Sequence, residues 1–201
     1  MDTEMLGAEL AHGIIGWADQ KRKAVRELAG EDRDPDTVDA NFVALLWWLA
    51  TRKVGECLGA RNARRVLQAM KAHVWEHLAN RPGVHQEAEG LLASRSAGYE
   101  SAFGEGNEQS VMQIANFFLA CCGTKRIAVR FDEIIPDPEH LAEAPEVVTP
   151  GTIEALRELR DTKGFLPYPM DPFKSLGLWE YVSPFARAVE ELLAEPEQPD
   201  S

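Results

Sequence analysis

No stretch of this sequence is long and apolar enough to span a membrane. The longest apolar run, Phe42 to Ala50 ("FVALLWWLA"), is about half of what a spanning helix needs. Cysteine is scarce. Cys57, Cys121 and Cys122 are an odd count with two adjacent, so no disulfide framework is expected, and a reducing, cytoplasmic setting is. The opening "MDTEMLGAEL" is acidic and has neither a basic n-region nor an apolar h-region, so no secretion signal is expected. Positive charge is in deficit. A net charge of -12 argues against nucleic-acid binding by general phosphate attraction. Also missing are a glycine-rich phosphate loop, a G-x-S-x-G elbow, a dinucleotide fingerprint and a C-x-x-C pair.

What is present divides unevenly along the chain. Residues 1–130 carry 17 acidic and 16 basic side chains, whereas residues 131–201 carry 16 acidic and 5 basic. Ten of the twelve prolines also lie after residue 130. The expected architecture is all-α: a bundle of about five helices over residues 1–124, with an acidic, proline-rich extension over residues 125–201 packed on it. The extension is expected to carry a short strand element and two or three further helices. A segment so acidic has either its own docking partner or an extended, solvated path around the first part.

Apolar spacing places the five helices. The first runs from Thr3 to Gly30, with Leu6, Leu10, Ile14, Trp17, Ala18, Val25 and Leu28 on one face and Lys21 inside it, where its stem can bury and its ammonium reach solvent. The second opens at Asp36 or Thr37 and reaches Gly59, with the adjacent Trp47 and Trp48 widening its apolar stripe. The third spans Arg61–Asn80, the fourth Val84–Phe103 and the fifth Glu108–Cys122. The fifth is apolar nearly all round, which predicts a central position. Beyond it, "RIAVRF" (126–131) alternates like a strand and "EVV" (146–148) could pair with it. Thr149-Pro150 reads as a helix start, and "GFLPYPMDPF" (164–173) as an extended segment across a groove of the bundle. The last helix is expected to break at Ser183-Pro184.

The stretch most suggestive of chemistry is "HVWEH". His73 and His77 lie about 40° apart on a helix, with Glu76 about 60° round from His73. H-x-x-E-H is the spacing with which inverted zincins hold zinc and activate water. Here it predicts His73 and His77 as zinc ligands and Glu76 as general base, with Glu56 or Glu100 as candidates for the third ligand. The plainer expectation is one core-edge histidine, His77, and one surface histidine, His73. Bundles that hold two metals draw a Glu-x-x-His pair from each of two helices, which this chain does not supply. His12 reads as a solvated residue on a polar face.

Two further features concern binding. Lys21, Arg22, Lys23, Arg26, Arg52, Lys53, Arg61, Arg64 and Arg65 could form one basic patch able to hold the acidic half of this chain or of a second copy. Trp47 and Trp48 point about 100° apart. One of them is expected at a pocket or subunit interface, unless the helix is enclosed on several sides. The leading expectation is therefore a non-enzymatic interaction protein, a homodimer, with Trp47, Trp48, Arg61, Arg64 and Arg65 as candidate contact residues. The alternatives are a metal-dependent hydrolase centred on His73, Glu76 and His77, and a helical bundle with a small-ligand pocket.

Overall fold

The computed structural model describes residues 2–80, 88–104, 108–123, 129–130, 165–166 and 172–194. Among these the protein is all-α, with six helices: α1 (Thr3–Ala29), α2 (Pro35–Cys57), α3 (Ala60–Ala79), α4 (Ala88–Phe103), α5 (Glu108–Cys121) and α6 (Pro172–Ala194). No helix is long and apolar enough to cross a membrane. The chain divides into two compact units. One comprises residues 1–124 and 172–201, the other residues 125–171. Helix α6, expected as part of an extension starting at residue 125, thus belongs with α1–α5.

Local chemistry sets the helix ends. Asp2 caps α1 by accepting from the Glu4 N–H, and Gly30, at φ 117°, ends it where a side chain would be strained. Asp34, not Asp36 or Thr37, caps α2. Its carboxylate accepts from the Thr37 N–H at 2.8 Å, and Pro35 takes the first helical position, where its missing N–H costs nothing. Gly59 proves to be the N-terminal flank of α3, and α2 ends at Leu58.

Helix α2, rather than α5, holds the centre. Every residue from Val38 to Ala50 is buried, and α2 packs against each of the other five helices. That enclosure explains the two tryptophans. Both Trp47 and Trp48 are buried, because α2 has neighbours in both of their directions. Trp48 packs on Tyr99 and Phe103 of α4 and donates its indole N–H to Glu100 at 2.9 Å. Among the described side chains of α5, Ile114, Ala115, Phe118 and Leu119 are buried and Ala120 is exposed.

Two buried polar residues interrupt the apolar run of α2. Asp39 accepts from Arg26 at 2.9 and 2.8 Å, and Arg22 Nε lies 2.9 Å from the same carboxylate, off the hydrogen-bond line. Asn41 donates to the carbonyls of Thr37 and Cys121 and accepts from Arg95 at 2.6 Å, tying α2 to α4 and α5. A buried carboxylate and a buried amide persist only when so satisfied.

Helix α6 packs on α1, α2 and α5 through Leu178, Val182, Phe185 and Val189. It runs unbroken through Pro184, where a break was expected. The proline has no N–H for the Glu180 carbonyl. Close to that point, the Trp17 indole of α1 donates to the Tyr181 carbonyl at 2.8 Å and its ring meets Phe185. These contacts hold the helix across the defect.

In the second unit, Val129–Arg130 (β1) pairs antiparallel with Phe165–Leu166 (β2), Val129 opposite Leu166. Residues 146–148 and the helix start at residue 149 lie outside the described residues, as do 167–171 of the proline-rich segment.

Candidate functional site

The third helix carries most of the singled-out residues, and its burial pattern fixes where they point. Ala63, Val66, Met70, Val74 and Leu78 are buried and define the inward face. Arg61, Arg64, Arg65, Gln68, Trp75 and Glu76 are exposed on the opposite side. Between these faces runs the seam with α1. There Gly7 of α1 comes so close that a Cβ on it would lie 2.6 Å from the Val66 carbonyl oxygen and 2.7 Å from the Ala69 Cβ.

His73 is exposed at the rim of this seam and His77 is half-buried one turn further on. The structure brings His73 to a residue of α1, His12. The two imidazole centroids are 5.7 Å apart and the rings are tilted by 37°. Glu76 lies on the solvent side of the helix, exposed. Neither expected third ligand is at hand. Glu56 is held by Arg52 at 3.0 Å and Lys53 at 3.2 Å, and Glu100 by Trp48 and Arg52. Among the described residues, no three or more His, Cys, Asp or Glu side chains are grouped to hold a metal ion.

The nine basic residues do not form one patch. Arg22 and Arg26 are neutralised by Asp39, with Asp19 also on Arg22 and Glu27 3.8 Å from Lys23. Lys21 lies over the Trp17 ring, its ammonium 5.2 Å from the centroid. Arg52 and Lys53 are engaged by Glu56, Glu100 and Glu190. The Glu190 ion pair, opposed by burial, raises the Lys53 ammonium above its ordinary value. Arg61, Arg64 and Arg65 differ from these. All three are exposed on the outer side of the first turns of α3, Arg65 turned toward the cleft with α1, and no carboxylate among the described residues pairs with them. Trp75, 47% exposed, stands on the same face.

Two open clefts flank these elements. One, of about 750 Å³, lies between the start of α1 and α3 and is lined by Asp2, Glu4, Arg65, Gln68 and His73 among others. The other, of about 450 Å³, lies along the end of α1 beside Arg22, Arg26 and Arg33. Neither is lined by Trp47 or Trp48. The adjacent Cys121 and Cys122 offer no activated thiol. Burial pushes Cys121 up and Cys122 well up, and Arg95 only partly offsets this. Tyr99 is fully buried, its hydroxyl also pushed well up by burial and without a hydrogen-bond partner among the described residues.

Sequence reasoning placed His12 on an exposed face, as the structure does, and did not single out Asp39 or Asn41. The sequence signal for the last two was only their polarity just before the apolar run Phe42–Ala50. None existed for the meeting of His12 with His73, which depends on how α1 and α3 pack. Compared with known proteins, the chain matches no family model, no curated protein and no solved structure.

Proposed function

We propose that this chain is a non-enzymatic interaction protein that self-associates, the outer face of α3 on one copy docking the acidic C-terminal half of a second. One observation carries the reading: Arg61, Arg64 and Arg65 are exposed on the first two turns of α3 with no ion-pair partner among the described residues, and Trp75 is exposed about 15 Å further along the same helix. Charge complementarity names the occupant. Residues 131–201 hold 16 acidic against 5 basic side chains, and Glu180 and Glu191 of α6 are exposed. The chain's own α6 rests on α1, α2 and α5, away from that face. A contact of basic face to acidic half occurs twice in a two-fold pair and closes it. In this reading helices α1–α6 are the scaffold, and the acidic, proline-rich stretch between α5 and α6, with the exposed carboxylates of α6, is the docking arm. The setting is cytoplasmic, in line with the cysteine usage.

Energetics divide the labour. Exposed ion pairs contribute about 0–1 kcal/mol each, so the arginines steer and align. A tryptophan at an interface centre supplies more of the affinity. Sedimentation equilibrium of the full chain tests the proposal. We expect a two-chain mass at low salt, weakened in about 0.5 M NaCl, where the screening length falls to a few ångströms. It should be weakened at least tenfold by Trp75→Ala and abolished by the triple R61E/R64E/R65E change. All four positions are exposed, so circular dichroism should match the parent. A one-chain mass at every concentration and salt, or a dimer indifferent to both variants, would sink the proposal.

A further inference from the structure

We infer that His12 and His73 together form a two-histidine site for a zinc-class transition-metal ion, bridging α1 and α3 at the rim of their seam. The warrant is the meeting of two imidazoles from different helices, 5.7 Å between centroids. A ligating ring nitrogen sits about 2.0–2.1 Å from zinc, which puts the ring centroid about 3.2 Å from the metal. Two such rings at a tetrahedral angle are then about 5.2 Å apart, and at a linear one about 6.4 Å. The observed separation falls inside that range, so two rings at this spacing can share one ion once the exposed side chains turn a nitrogen toward it. The rings are tilted by 37° rather than stacked parallel, so their planes cross, as the planes of two rings that share an in-plane metal must.

The supports are rigid. The close approach at Gly7, just over one turn before His12, fixes the spacing of α1 against α3, so the two ligands are held in register before any ion arrives. Each histidine also has a glutamate one turn away on its solvent side, Glu9 three residues before His12 and Glu76 three residues after His73. Both are exposed and neither completes a three-ligand set, but their charge favours a cation over an anion at this rim. Neutral imidazole is a borderline ligand that selects zinc, copper or nickel over magnesium or calcium. With two protein ligands, the remaining coordination positions belong to water. This assigns His12 the role that the H-x-x-E-H spacing would give to His77, and it leaves Glu76 outside the coordination sphere.

The experiment is a zinc titration of the full, untagged chain after chelator treatment, followed by calorimetry and by the thermal unfolding temperature. We expect one equivalent of zinc per chain and an upward shift of the melt, because an ion bound to both helices binds only the folded chain. His12→Ala and His73→Ala should each remove at least nine-tenths of the affinity, whereas His77→Ala should leave it within about twofold. Both ligands are exposed, so the metal-free melts of these variants should match the parent, and that match separates loss of a ligand from loss of fold. Absence of stoichiometric binding overturns the inference. So does binding that survives His12→Ala, and if it is lost with His77→Ala the "HVWEH" pair alone is the chelate.

Discussion

At position 7 a single hydrogen stands where any other residue would place a carbon 2.6 Å from the Val66 carbonyl. Alanine there would gain about 1 kcal/mol of helix propensity over glycine. It would also force backbone against backbone, which cannot swing aside, and overpacking of that kind costs about 1–3 kcal/mol. Gly7→Ala is therefore expected to lower the urea midpoint, by a net loss of up to about 2 kcal/mol, and to move His12 away from His73. A stability unchanged or raised would mean that α1 and α3 do not approach as described. Asp39 and Asn41 show the same dependence on surroundings. Each is tolerated in the most buried helix only because arginines reach it from α1 or α4. Their polarity was legible in the sequence, but their partners lie 13 and 54 residues away along the chain and no local pattern names them.

Helix boundaries and faces were the most legible elements. The inward stripe of α3 coincides with its apolar spacing, and the exposed arginines follow from the same wheel. Two elements departed from the local signal. Helix α5, apolar nearly all round, leaves Ala120 exposed, and the central place belongs to α2, which meets all five other helices. Composition reports how much surface an element can bury, and topology decides how many neighbours it receives. The other departure is α6, where Ser183-Pro184 offered a cap and a restart, yet the helix continues. Packing of Leu178, Val182, Phe185 and Val189, with the Trp17 bond to Tyr181, outweighs the lost backbone bond. Pro184→Ala would restore that bond and is expected to stabilise the protein by about 1–3 kcal/mol, read as a higher melting temperature. If Pro184 instead opened a new helix at its favoured first position, the same change would be neutral or harmful.

For the whole molecule, the telling fact is that the bundle is closed by its last helix. Leu178, Val182, Phe185 and Val189 are all buried against helices from the first 124 residues. Burying each contributes about 1.5–3 kcal/mol, so together they approach the entire net stability of an ordinary domain, about 5–15 kcal/mol. A chain ending at residue 171 is therefore expected to lose its cooperative thermal transition and its near-ultraviolet dichroism while keeping helical far-ultraviolet signal. A sharp transition in that fragment would show that α6 is dispensable.

Sequence by itself determined the all-α class, the amphipathic faces of α1 and α3, the charge asymmetry between the two parts of the chain, and the exposure of Arg61, Arg64 and Arg65. These follow from periodicity and composition, which act within a few turns of chain. Tertiary structure alone decided which helix is central, that α6 completes the bundle, which cations are neutralised, and that His73 meets His12 across the α1–α3 seam. Each of these depends on residues far apart in the chain brought together by the burial of apolar surface, a force without direction that carries no record of its partners in the local sequence.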